Sequence, residues 1–256
     1  MGGHAAGELA SATAVATIAA LEGVRLTPSD AVAALSESID DIGDAIATVI
    51  HDDPELTGMG TTVTAVYWLG GQLILAHVGD SRAYLLRENA LLQLTHDHTY
   101  VQTLVDAGRL TEEQASTHPR RSLLMRAIDG MNPVESDVFA HQAMDGDRLL
   151  LCSDGLSGLV AADEIAGILG IRDLPGCITR LVELAIERGA PDNVTVVVAD
   201  VVDVPESTFP EFNGVVSPVV VGAAGEPRVR LRLPSVHFPS DAQPDPNRPD
   251  LPPRAQ

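Results

Sequence analysis

The hydrophobic positions fall into two periods. From Thr27 to Ile50 the apolar residues Val32, Leu35, Ile39, Ile42, Ile46 and Val49 step by threes and fours, the spacing of one face of a helix. Thr27 offers the cap and Pro28 the first helical position. The amino end, MGGHAAGELASATAVATIAALEG, also reads as helix. The period then changes to strand-like runs: TTVTAVYWL from Thr61, QLILAHV from Gln72 and SRAYLLR from Ser81, separated by Gly70-Gly71 and Gly79-Asp80. This pattern predicts an antiparallel meander. A second helical zone carries Val101, Leu104 and Val105 before Gly108, and Thr111 with Gln114 forms a capping-box pattern. Strands are expected over 135–143 and 147–152, then a helix with Ile178, Leu181, Val182 and Ala185 that ends at Gly189, then a strand from Asn193 to Val201. Helices and strands in separate blocks, without regular alternation, indicate the α+β class.

Composition narrows the function. The 256 residues allow one domain and a tail, and 45% apolar content is enough for a packed core. A net charge of −20 with no basic stripe argues against nucleic acid and anionic lipid as partners. No stretch of about 18 apolar residues occurs, so no membrane span is expected. The amino end lacks a basic region and carries Glu8, unlike a secretion signal, and Ala6 stands where a myristoylation signal needs Ser or Thr. Cys152 and Cys177 have no paired spacing and read as small hydrophobes in a reducing, cytoplasmic setting. Beyond Asp203 the character changes: eleven of seventeen prolines lie between Pro205 and Pro253. The expected division is a folded domain over 1–203 and a disordered tail or linker over 204–256. Within the tail, VVSPVVVG from Val215 reads as a sticky run rather than an edge strand.

Three acids stand where buried runs meet breakers: Asp80 after LILAHVG, Asp154 after LLLCS, and Asp192 before NVTVVVADV. Each alone is an ordinary turn or cap residue. As a set at the ends of strands they repel one another unless a hard cation holds them, and oxygen ligands suit Mg²⁺ or Mn²⁺. His96-Asp97-His98 is better read as turn and cap than as a metal pair, because neighbours on an extended segment face opposite ways. Ser153 and Ser157 lack the nucleophile-elbow pattern. Arg120, Arg121 and Arg126 form a local positive patch that reads either as a phosphate grip or as a solvated face.

The ordered motifs MGGHAAGE, GMGTT at Gly58 to Thr62, HVGDSRAYLLR, CSDGL and APDNVTVVVADV resemble the PPM (type 2C) family of metal-dependent serine/threonine protein phosphatases. The similarity is greatest to bacterial members that work beside eukaryotic-like Ser/Thr kinases, and it covers Met1 to Val202. It implies a four-layer sandwich, two antiparallel sheets packed together with helices on both outer faces. It also implies two Mg²⁺ or Mn²⁺ ions, with Asp154 on the metal centre and Asp192 on one ion. Asp80, Ser122 in HPRRS, and Asp154 match the third-ion site of bacterial relatives, and 96–122 matches a flap near the cleft. The implied partners are phosphorylated proteins, Ser/Thr kinases among them, and the implied state is a monomer.

One departure stands at the start: family members read D-G-M-G-G-H where this chain opens at Met1. The chain is therefore expected to be N-terminally incomplete, through a start assigned at an internal Met, and to have little activity as given. His4 is near the site in sequence, but the general acid has no assignment. Two rivals remain, a non-catalytic phosphoprotein-binding pseudophosphatase and a phosphatase for small phosphoesters.

Overall fold

The computed structural model describes residues 4–203 of the chain. Met1–Gly3, the side chain of His4, the Pro-rich stretch from residue 204 and the VVSPVVVG run all lie outside the described residues. Helix α1 spans His4–Ala19 and α2 spans Pro28–Asp52. The Thr27 side chain accepts the Asp30 backbone N–H and Pro28 sits in the first turn, so α2 starts where its sequence signals say. Its buried face is Ala31, Leu35, Ser38, Ile39, Ile42 and Ile46, the stripe seen in the hydrophobic period.

Strands β1 (Val63–Leu69) and β2 (Gln72–Val78) form a hairpin, and β5 (Asp137–Gln142) pairs with β2 to complete a sheet of order β1-β2-β5. The second sheet has the order β4-β3-β6-β7, built from β3 (Arg82–Arg87), β4 (Ala90–Gln93), β6 (Arg148–Cys152) and β7 (Val196–Asp200). Every pairing is antiparallel. The expected meander is corrected here: β1 and β2 pair, but β3 leaves for the other sheet at Gly79-Asp80. The reason is that β2 buries both faces. Leu73 and Leu75 pack against Ala83, Leu85 and Leu149 between the sheets, whereas Ile74 and Ala76 pack against Ala31 and Leu35 of α2.

Alternation carries the layering through the second sheet as well. Ala83, Leu85 and Leu149 face inward, while Tyr84, Leu150 and Cys152 face Ile165, Leu169, Cys177 and Leu181. Those four residues belong to α6 (Ala162–Leu169) and α7 (Leu174–Glu187). The order is therefore helix, sheet, sheet, helix, as the resemblance implied. The short helices α3 (Tyr100–Asp106), α4 (Glu112–Ser116) and α5 (Asp154–Ser157) fill the connections. Gly108 ends the α3 region with a φ of 65°, and Thr111 and Gln114 form the expected reciprocal capping box on α4.

Candidate metal centre

The acids Asp80 and Asp154 stand at the ends of strands, and each is steered by a glycine beside it. Gly79 has a φ of 115°, open to glycine and strained for other residues. A Cβ there would stand 2.3 Å from Thr62 Cγ2. The turn that follows is tied to β1, because the Thr64 hydroxyl lies 2.8 Å from the Ser81 carbonyl and the Thr62 and Ser81 hydroxyls are 3.0 Å apart. Asp80 is thereby presented where the chain crosses between sheets.

Asp154 follows β6 and opens α5. Ser153 ties this end of β6 to the run before β7: its Oγ accepts the Thr195 N–H at 3.0 Å, and its own N–H donates to the Thr195 carbonyl at 3.1 Å. At Gly155 an added Cβ would come within 2.3 Å of the Asn193 carbonyl oxygen. This absence of a side chain lets Asp192-Asn193 lie directly against Asp154-Gly155, so two acids distant in sequence share one edge of the sandwich.

Their electrostatics follow from that gathering. Burial first, and then the charge of Asp154, pushes the Asp80 carboxyl up to about 6. Asp154 is also raised, by loss of solvent first and by Asp192 second, although its side chain keeps an open face to water. Asp97 adds to both. Arg82 offsets only part of this, because its guanidinium is committed to Asp97 through bonds of 2.9, 3.0 and 2.7 Å. Among the described residues none of Asp80, Asp154 and Asp192 is in an ion pair. Raised carboxyls beside another carboxylate, with no ion-pair partner among the described residues, fit a hard divalent cation, which would remove the repulsion. Among the described residues no group of three or more His, Cys, Asp or Glu side chains is placed to hold a metal ion by itself. A cation here takes waters or backbone oxygens besides, as Mg²⁺ commonly does.

Ser122 is exposed, in the segment after α4, and no contact brings it to the three acids. The 96–122 loop nevertheless leaves from and returns to their neighbourhood. The His98 N–H donates to the Gly79 carbonyl at 2.8 Å, and the Met125 N–H donates to the His98 carbonyl at 2.8 Å. The His-Asp-His run is not a metal pair: His96 meets Asp106 at 3.0 Å, Asp97 holds Arg82, and buried His98 contacts Gly79 and Asp137. Of the arginine patch, Arg120 and Arg121 are exposed, with Arg120 6.0 Å over the Tyr100 ring, and Arg126 pairs with Asp137 at 3.2 Å. The network of buried His77, Asp97 and His98 with partly exposed Arg82 and Asp137 escaped the sequence reading. The one available signal was the alternation of HDHT, which turns Asp97 away from both histidines.

Two antiparallel sheets packed between layers of helices, with Asp80 and Asp154 at strand ends, define a four-layer α+β sandwich. The Protein phosphatase 2C profile matches residues 1–114. The serine/threonine protein phosphatase PstP of Mycobacterium tuberculosis is 46% identical over 235 residues, which are 92% of this chain and 44% of the relative. The serine/threonine phosphatase stp of Listeria welshimeri is 37% identical over 204 residues, 78% of this chain and 81% of the relative. Among solved structures, the catalytic domain of PstP in complex with two manganese ions matches with a TM-score of 0.73 and 48% identity, covering 79% of this chain and 85% of that one. The chain belongs to the protein phosphatase 2C family. It spans less than half the length of the mycobacterial relative.

Proposed function

We propose that this chain forms the catalytic domain of a metal-dependent protein phosphatase that hydrolyses phosphoserine and phosphothreonine in proteins. The observation that carries this reading is that Asp80 and Asp154 have raised carboxyls, Asp80 beside Asp154 and Asp154 beside Asp192, with none of the three in an ion pair among the described residues. A relative solved with two manganese ions supports Mn²⁺ or Mg²⁺ as the cofactor. When bound, such ions activate a water for in-line attack on phosphorus and neutralise the charge that develops there.

The chain's own residues do the holding. Asp154, whose charge acts on Asp80 and which itself feels Asp192, would be the central ligand. Asp192 would serve one of the two ions and Asp80 a third, weaker one, to which exposed Ser122 would come only by movement of its segment. The ions also answer the net charge of −20, since an anionic phosphoprotein would not approach a bare acidic cleft. The substrates include eukaryotic-like Ser/Thr kinases, and the domain acts as a monomer. Two free buried cysteines suit the cytoplasm, and no described helix is long and apolar enough to cross a membrane.

The test is Mn²⁺-dependent hydrolysis of a phosphothreonine peptide by the natural protein that carries this chain. Asp154→Asn is expected to lower turnover by at least about a hundredfold, the order reached when a second-shell partner of a metal is lost, with the circular dichroism spectrum retained. Undiminished turnover refutes the assignment of Asp154. Hydrolysis of sugar phosphates in preference to phosphopeptides indicates a small-phosphoester enzyme, and phosphopeptide binding without turnover a pseudophosphatase.

A further inference from the structure

His98 is buried, and it grips Gly79 twice. Its backbone N–H donates to the Gly79 carbonyl at 2.8 Å, and its Nδ1 accepts the Gly79 N–H at 3.1 Å. A backbone N–H can only donate, so Nδ1 carries no proton and the ring proton sits on Nε2. Nε2 faces Asp137 Oδ2 at 3.1 Å; Arg126 Nη1 lies 3.2 Å from both Nε2 and Asp137 Oδ1, and with the proton on Nε2 it is the carboxylate that Arg126 bonds. Asp137 is itself fixed by the β2–β5 ladder, where it stands opposite His77. The imidazole therefore reaches Gly79 from a rigid base.

On its other side Gly79 has no slack, because a Cβ there would stand 2.3 Å from Thr62 Cγ2. Both polar backbone groups of a residue at φ 115° are thus clamped, and the next residue is Asp80. Burial also pushes the His98 imidazole below its ordinary range, with Arg126 and His96 adding to that and Asp137 opposing it. The neutral ring that accepts from Gly79 is the form this environment favours.

We propose that His98 is a positioning residue for Asp80: it locks the Gly79 turn, and so sets the direction of the carboxylate and the affinity of the ion that Asp80 holds. This rests on the reading of Asp80 as a metal ligand. The role differs from simple filling of space, because it depends on one acceptor atom. Asn offers an Oδ1 close to where Nδ1 lies, whereas Leu fills the space with no acceptor.

The experiment is Mn²⁺ titration by calorimetry on the natural protein and its His98→Leu, His98→Asn and Asp80→Asn variants, with amide exchange at Gly79 measured in the absence of metal. Asp80→Asn is expected to abolish the weakest binding event. His98→Leu is expected to weaken that same event on the order of tenfold, as loss of an outer-shell partner does, and to speed Gly79 exchange, while the tighter events hold. His98→Asn restores both readouts. If His98→Leu does not fold, His98→Gln replaces it with the same ordering expected relative to His98→Asn. Equal impairment by Leu and Asn assigns His98 to packing and overturns the proposal. An effect of Asp80→Asn without any effect of His98→Leu also overturns it. If Asp80→Asn changes no binding event, the ligand reading of Asp80 falls first and the proposal falls with it.

Discussion

Acidification should destabilise this domain through His77. The ring is wholly buried on β2, and burial, reinforced by the neighbouring His98, holds its pKa down to about 4 from 6.5 against the weaker opposing pull of the His96 carbonyl, Asp97 and Asp137. Its Nε2 lies 3.1 Å from the His96 carbonyl and so bears the proton, while Nδ1 lies 2.9 Å from the Thr64 hydroxyl, whose one hydrogen is shared between Nδ1 and the Ser81 carbonyl at 2.8 Å. A group whose pKa is lower folded than unfolded contributes its stability above the unfolded value and loses it as pH falls toward the folded one. The gap between 6.5 and 4 corresponds to about 3 kcal/mol. Roughly 2 kcal/mol of it is gone by about pH 5.

Asp80 works the other way, since its carboxyl is raised to about 6 and binds protons more readily in the folded state. The informative quantity is therefore a difference. Urea unfolding of the metal-free protein and of His77→Gln, compared between about pH 7.5 and pH 5, should show the unaltered protein losing about 2 kcal/mol more than the variant. Equal losses, or a larger loss in the variant, would show that His77 is not held neutral by its surroundings.

Gly155→Ala drives a methyl group into the Asn193 carbonyl and separates Asp154 from Asp192; it should cost about 1–3 kcal/mol in urea unfolding and weaken Mn²⁺ binding in calorimetry. Asp97→Ala leaves the Arg82 guanidinium, 29% exposed, without its carboxylate, and a loss of about 3 kcal/mol is expected by thermal melting. Thr111→Ala removes an exposed cap far from the acids; it should cost about 1 kcal/mol or less and leave Mn²⁺ binding unchanged, which calorimetry checks.

Much of the fold could be read from local rules. The face of α2, its Thr27 cap, the Gly108 stop and the Thr111–Gln114 box each depend on residues within one or two turns of one another. Strand β4 escaped because its hairpin turns on Glu88-Asn89, with φ of 51° and 65°, rather than on an Asn-Gly or Asp-Gly pair. Helix α6 escaped although its acidic first turn, Asp163 and Glu164, was available as a signal. For the acids, the strand-end positions of Asp80 and Asp154 were legible because a breaker follows a buried run. The close approach of Asp192 to Asp154 was not, since it arises where Gly155 meets Asn193.

Residue pattern and composition were thus enough for the α+β class, the placement of most helices and strands, and the three candidate acids. The division of strands between two sheets, the burial of Asp97 and His98, and the clamp on Gly79 required the assembled molecule. The difference is one of range. Periodicity and caps report how a segment meets its own next turn, but burial, desolvation and charge coupling depend on which distant segment lies against it. In this chain β2 has apolar residues on both faces, and only packing between the second sheet and α2 sends β3 across at Gly79 and leaves Asp80 at the crossing.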